Sequence, residues 1–167
     1  MFNNPEWATE QEWDAYACFG FAMQEAQMIE FMFLVMLVAL EAKKINTNPE
    51  ETGWDSLYND FGWYNLRKLF ERIRKHISLP IDFENDLQRV VDMRNELAHG
   101  FYWPKNPNFK DKTAFEAQQE LKDAASLFSN FAPRVETVMM SLIDTISVKR
   151  SDLEAKTKEL VKGNKKG

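Results

Sequence analysis

The chain has 167 residues, of which 44% are hydrophobic and 28% charged, a composition typical of one soluble globular domain. Its single cysteine, Cys18, excludes an intramolecular disulfide and fits a reducing compartment. The net charge of −5 argues against a surface that coats nucleic acid over its whole extent. The most apolar run, residues 31–40, has about half the length that a bilayer requires, and the first residues show no signal-peptide pattern. We therefore expect a soluble cytoplasmic protein without a membrane partner.

Four helical segments are predicted in chain order, each with apolar residues at spacings of three and four. Their expected bounds are Thr9 to Lys44, Trp54 to His76, Asp82 to Gly100 and Thr113 to Val148.

Three residues interrupt these patterns. The second segment should break near Gly62 and end before Pro80, and Pro133 should kink or split the fourth. Four long amphipathic helices with short connections predict an all-α fold, an up-down antiparallel four-helix bundle over residues 1–148. A C-terminal helical extension is expected in the basic tail, residues 149–167, which is partly helical or frayed.

Basic residues are concentrated in the second segment. The stretch LRKLFERIRKH contains five basic residues and one acidic residue, namely Arg67, Lys68, Arg72, Arg74, Lys75 and Glu71. One interpretation is a local strip that binds phosphate groups, with Arg67 and Arg74 as candidate substrate-binding residues. A solvated helix face explains the same charges without any ligand.

Two charged residues stand among apolar ones. On a wheel of about 100° per residue, Arg94 lies at the centre of the apolar face of the third segment. An arginine there is costly unless it is paired. Glu30 has the same cost with the opposite charge, because it is the only polar residue between Met28 and Leu40. A Glu30–Arg94 pair would satisfy both, with Glu30 supporting Arg94, whereas the alternative is that each side chain extends to solvent at a rim.

His99 is a second candidate for chemistry on the third segment. It lies about 140° from Arg94 and about 40° from Asn95, so Asn95 can orient its imidazole. Gly100 is a typical C-cap, which would put His99 in the last helical turn. A histidine close to an arginine suits phosphodiester chemistry, and a structural histidine fits the same position. With no HExxH, paired-cysteine or Gly-rich phosphate motif in the sequence, we expect no metal and no cofactor.

Arg94, Asn95 and His99, near the end of the third of four predicted helices, resemble the Arg-x-x-x-x-His signature of the HEPN superfamily. The motif is short, and the predicted bundle that surrounds it covers about residues 9 to 148. The resemblance implies a metal-independent endoribonuclease, and many such proteins act as toxins or in antiviral defence. It also implies dimers that bring two motifs together. Some members have lost catalysis and serve as binding or scaffold modules.

The resemblance also implies a role for each residue of the motif. His99 would be the general base or acid at the ribose 2′-OH or the leaving oxygen. Arg94 would stabilise charge that develops on the phosphate, and Asn95 would orient His99 or contact the substrate.

The expected partners are RNA as substrate, a second copy of the chain and, for a toxin, an antitoxin or another protein. Because Arg94 and His99 diverge on one helix, a homodimer that joins the two third helices would supply one residue from each chain. Two alternatives stay open. One is a HEPN-like module that binds a protein partner, nucleotide or RNA without cleavage, and the other is a purely structural bundle.

Overall fold

A computed structural model describes residues 10–44, 52–99 and 114–146. Within these ranges five helices hold 89% of the residues and no strand occurs, which confirms the all-α prediction. The helices are α1 (Glu10–Lys44), α2 (Thr52–Phe61), α3 (Leu66–Ile73), α4 (Ile81–His99) and α5 (Ala114–Thr145). The expected extension in the tail lies outside the described residues.

The second predicted segment is two helices, α2 and α3, and the break falls at Gly62 as expected. The Gly62 N–H donates to the carbonyl of Tyr58 at 2.8 Å, and the Tyr64 N–H donates to the carbonyl of Phe61 at 2.9 Å. A Cβ atom added to Gly62 would lie only 2.9 Å from the Tyr58 carbonyl oxygen. Glycine therefore permits the tight turn that separates the two helices.

Neither Pro80 nor Pro133 breaks a helix directly. The second segment ends before Pro80, as expected, but α3 ends at Ile73, so the proline itself does not terminate it. Pro80 starts the next helix instead, since its carbonyl accepts a hydrogen bond from the Glu84 N–H at 3.0 Å. Proline lacks an N–H but keeps its carbonyl, so it is tolerated at the start of a helix. Pro133 does not split α5, which continues through it.

The chain divides into two compact units. The first contains α1 as far as Ile29, α4, and α5 as far as Pro133. The second contains α1 from Glu30 onward, α2, α3, and α5 from Arg134 onward. Both long helices thus contribute to both units.

Aromatic, aliphatic and alanine side chains fill the interior of the first unit. Phe83 of α4 packs against Phe131 of α5 with ring centroids 5.0 Å apart. On the polar side, the Ser129 hydroxyl donates to the carboxylate of Glu25 on α1 at 3.0 Å. These contacts join α1 and α4 to α5 within this unit.

In the second unit α1 is buried on nearly every side. Most of residues 32–40 are buried, and Phe33 meets Phe70 of α3 edge-to-face at 6.5 Å. A helix that is apolar all round is expected to be a core helix. The chain itself covers this apolar run, so the run does not require a second copy of the protein.

By length and composition, one helix among the described residues could cross a membrane, within Trp13–Lys44. In its most apolar window, 56% of the residues are buried inside the protein. The core helix of a soluble protein passes the same test, so this finding is weak evidence for a span. The cytoplasmic location stays a prediction.

We expect Gly62→Ala to lower the free energy of unfolding by about 1 kcal/mol or more, because the new Cβ meets a fixed backbone oxygen. Gly20 provides the matched control, since it is exposed within α1 and a Cβ there meets no atom within 4 Å. Gly20→Ala should therefore raise the same free energy by about 0.5–1 kcal/mol. Urea denaturation followed by circular dichroism measures both variants. Changes of the same sign would contradict this account of the turn.

Candidate functional site

Arg94 lies on the buried face of α4. Of the apolar residues that the wheel places around it, Phe101 lies outside the described residues and four are buried, namely Leu87, Val90, Val91 and Leu97. Ala98, assigned to the same face, is exposed in the last turn of the helix. Arg94 itself is half-buried, its Nε atom is enclosed, and the residue takes part in a further interaction. The Arg94 guanidinium is thus partly enclosed by the protein.

His99 is the last residue of α4, which confirms its expected place in the final helical turn. Its side chain is exposed, and Asn95, one turn earlier, is half-buried. On one straight helix, Arg94 and His99 are about 7.5 Å apart along the axis and about 140° apart around it. The helix therefore offers an exposed imidazole and a partly enclosed guanidinium in different directions.

Glu30 has a partner that sequence reasoning missed. Its Oε1 atom accepts a hydrogen bond from the backbone N–H of Leu66 at 3.0 Å. Leu66 is the first residue of α3, and the first N–H groups of a helix have no acceptor inside that helix. A negative charge at this end is also favoured by the helix dipole. The expected pair between Glu30 and Arg94 stays a prediction.

A second side chain caps the same helix end. The Asn65 side-chain oxygen accepts a hydrogen bond from the Lys68 N–H at 3.0 Å, as is typical of an N-cap residue. Arg67 and Arg74 of α3 are exposed, and the Arg74 guanidinium lies 5.4 Å from the centroid of the Phe70 ring. The substrate-binding role of both arginines stays a prediction.

The other histidine, His76, is tied into the scaffold. Its Nε2 atom lies 3.0 Å from Oε1 of Glu41, and these side chains are only 19% and 16% exposed. Lys44 Nζ lies 4.0 Å from the second carboxylate oxygen of Glu41. The pair joins the end of α1 to the turn that follows α3. His76 is therefore already engaged, in contrast to the exposed His99.

The predicted site residues are divided between the two units. Arg94, Asn95 and His99 belong to the first unit, whereas Glu30 and both candidate substrate-binding arginines belong to the second. In the described part of the chain, no three His, Cys, Asp or Glu residues form a group that could hold a metal ion.

Comparison with known proteins finds no match to a family model, a curated protein or a solved structure. Membership of the HEPN superfamily therefore stays a proposal.

We expect Glu30→Ala to lower the free energy of unfolding by about 1–3 kcal/mol, because the Leu66 N–H loses its acceptor in a part-buried place. Glu30→Gln keeps an oxygen at the same position and should cost less. Asn65→Ala, which removes the neighbouring cap, should cost about 0.5–2 kcal/mol. Urea denaturation of the three variants tests the series. If Glu30→Ala leaves stability unchanged, the contact does not hold the start of α3.

Proposed function

We propose that this chain is a metal-independent endoribonuclease of HEPN type, with Arg94, Asn95 and His99 as its catalytic residues. One observation carries the proposal, the joint presence on α4 of an exposed His99 and a half-buried Arg94. An exposed imidazole at a helix end can reach a bound substrate. A guanidinium that is enclosed on one side loses little conformational freedom on binding a phosphate, for which its fork of N–H donors is suited.

The proposed reaction is an internal transesterification of RNA. Neutral His99 takes the proton from the ribose 2′-OH, and the 2′ oxygen attacks the adjacent phosphorus. The bond from phosphorus to the 5′ oxygen breaks, its electron pair leaves with that oxygen, and the oxygen takes up a proton from water, which regains one from protonated His99. Arg94 balances the charge that develops on the non-bridging oxygens, while Asn95 orients the imidazole. The products are a 2′,3′-cyclic phosphate and a 5′-hydroxyl.

The wider setting belongs to the same proposal. Its fold is an up-down antiparallel four-helix bundle over residues 1–148, an arrangement that the all-helical character supports. Its biological role is that of a cytoplasmic toxin or antiviral effector, with an antitoxin or another protein as a further partner.

A cleavage assay tests the mechanism. We expect purified protein to cut RNA equally well with and without EDTA, because the substrate's own 2′-OH is the nucleophile. His99→Ala should lower the rate by about 10²–10⁴-fold, the usual contribution of one general acid or base. The exposed histidine can be replaced at a cost of about 0.5 kcal/mol or less, so a lost rate reports chemistry rather than unfolding.

Two control variants sharpen that assay. Arg89→Ala removes an exposed arginine of the same helix, which lies 3.5 Å from Asp86, and should leave the rate unchanged. His76→Gln alters the scaffold histidine and should change stability more than the rate. Equal rates for the wild type and His99→Ala would assign cleavage to another site or a contaminant, and loss of cleavage in EDTA would refute the mechanism. RNA binding without cleavage would identify the inactive binding module.

A homodimer that pairs the two α4 helices is part of the proposal. Arg94 and His99 point in different directions on one helix, so a single chain does not easily aim both at one phosphate. A twofold axis would bring Arg94 of one chain to His99 of the other.

Mixing two inactive variants tests the shared site. Arg94→Ala and His99→Ala are each expected to be inactive, whereas their mixed dimer contains one intact site. Half of the dimers after random exchange are mixed, and each has one of two sites intact, so about a quarter of the wild-type activity should return. If no activity returns although exchange is complete by native mass spectrometry, the site lies within one chain.

A further inference from the structure

The link between α2 and α3 presents an unusually exposed tryptophan. Trp63 is 92% exposed, the highest value for any large hydrophobic side chain among the described residues. Tryptophan is on average highly buried in folded proteins, and its indole ring stabilises most when another surface covers it. The ring takes almost no part in the packing of the described residues of the second unit, so its position calls for an explanation outside the packing of these helices.

The backbone on both sides of Trp63 is fixed. Gly62 before it and Tyr64 after it each donate a backbone hydrogen bond, at 2.8 and 2.9 Å, to carbonyls of α2. The rings of Phe61 and Tyr64 also pack edge-to-face, with centroids 5.5 Å apart. The indole is therefore carried on an ordered turn and extends into solvent from a defined point.

The charged residues that directly follow this turn are basic, whereas exposed Asp60 precedes it and exposed Glu71 lies one helical turn after Arg67. Arg67 and Lys68, in the first turn of α3, are both exposed, and residues 61–70 contain no Asp or Glu. The ammonium group of Lys68 lies 3.8 Å from the centroid of the Tyr64 ring, a cation–π contact that limits its motion. An exposed aromatic face thus adjoins two cations in a protein whose net charge is negative.

We propose that Trp63, Arg67 and Lys68 form a binding surface for single-stranded RNA, which we name the Trp63 surface. A base stacks on the indole, and the two cations contact flanking phosphates, the combination that single-strand binding proteins use. Bases in a duplex are already stacked on one another and cannot offer a free face to the ring. A protein partner would require an apolar patch around the ring, but the exposed residues beside it, among them Asp60, Asn65, Arg67 and Lys68, are polar or charged.

The inference deepens the proposed function, on which it rests for the identity of the substrate, by naming the form of RNA that is bound. Binding at the Trp63 surface does not require the chemistry of His99. The two ideas can therefore fail separately, provided that binding is measured with an oligonucleotide that cannot be cut.

The test measures binding of the full chain to a fluorescein-labelled, mixed-sequence single strand of about 12 nucleotides, within the usual range of site sizes. Each sugar is 2′-O-methylated, so the nucleophile of the proposed reaction is absent. Fluorescence anisotropy gives the Kd for the wild type and for Trp63→Ala, Trp63→Phe and Trp63→Leu. The same strand annealed to its complement provides the duplex comparison.

We expect Trp63→Ala to raise the Kd for the single strand by about 5- to 150-fold, as the loss of one stacked base predicts. Trp63→Phe should retain most of the affinity, whereas Trp63→Leu should not, because leucine has no aromatic face. Arg67→Gln should reduce the slope of log Kd against log salt by about 0.7, the value for one phosphate contact on a single strand. The duplex should bind more weakly than the single strand.

Phe115→Ala is the control for an exposed ring elsewhere, because this ring is 69% exposed on α5 and its adjacent residues in the sequence are Ala114 and acidic Glu116. Its Kd should equal that of the wild type. An unchanged Kd for Trp63→Ala, an equal loss for Phe115→Ala, or tighter binding of the duplex would each overturn the proposal. A Trp63→Ala variant with altered sedimentation and unchanged RNA affinity would show a protein interface instead, which also refutes it. If His99→Ala loses cleavage but retains RNA binding, the Trp63 surface remains supported.

Discussion

The second unit depends on how one carboxylate is accommodated. Glu30 lies inside an apolar stretch of α1, where its charged oxygens need hydrogen-bond donors. Removing a charged oxygen from water is costly unless hydrogen bonds replace the lost hydration. Glu30 meets this requirement by accepting the first backbone N–H of α3, a group that its own helix cannot satisfy. Either group alone would be a defect, and together they fix the residue at which α3 begins. That starting point in turn sets the short link that carries Trp63 and the direction in which Arg67 leaves the helix.

The same contact explains how an acidic protein can present a basic face. The negative charge at the start of α3 comes from another helix, on the side of α3 that packs against the unit. Arg67 and Lys68 of α3 and Arg74 at its C-cap are exposed, and Glu71 is the one exposed acidic residue of this helix. A net charge of −5 therefore describes the whole molecule and not this surface. Because exposed charges act mainly within about 10 Å at ordinary salt, the local arrangement decides which ligand is attracted.

The limits of prediction follow from how far apart the interacting residues are. The start of α4 was predictable to within one residue, at Ile81, because helix periodicity and local start signals lie close by in the sequence. The role of Pro80 was misjudged, since a proline between two helices can follow one or start the next and sequence alone does not separate the two. The partner of Glu30 was not predictable from the sequence, because 36 positions separate Glu30 from Leu66 and only the folded unit brings them together. The identity of the chemistry at His99 depends on contacts with a substrate, which no pattern in the chain specifies.

Burial distinguishes the two histidines, one of which has a structural role and the other a proposed catalytic role. Both lie near the end of a predicted helical segment, so the sequence alone does not separate their roles. In the fold, His76 is committed to Glu41, and any change there alters a part-buried hydrogen bond. His99 is exposed, so its replacement disturbs the fold little and isolates its chemical role. Arg94 occupies an intermediate position, because its enclosed Nε makes every substitution a change in packing as well as in charge. The chemical role of α4 is therefore established first at His99, and the arginine is interpreted in the light of that result.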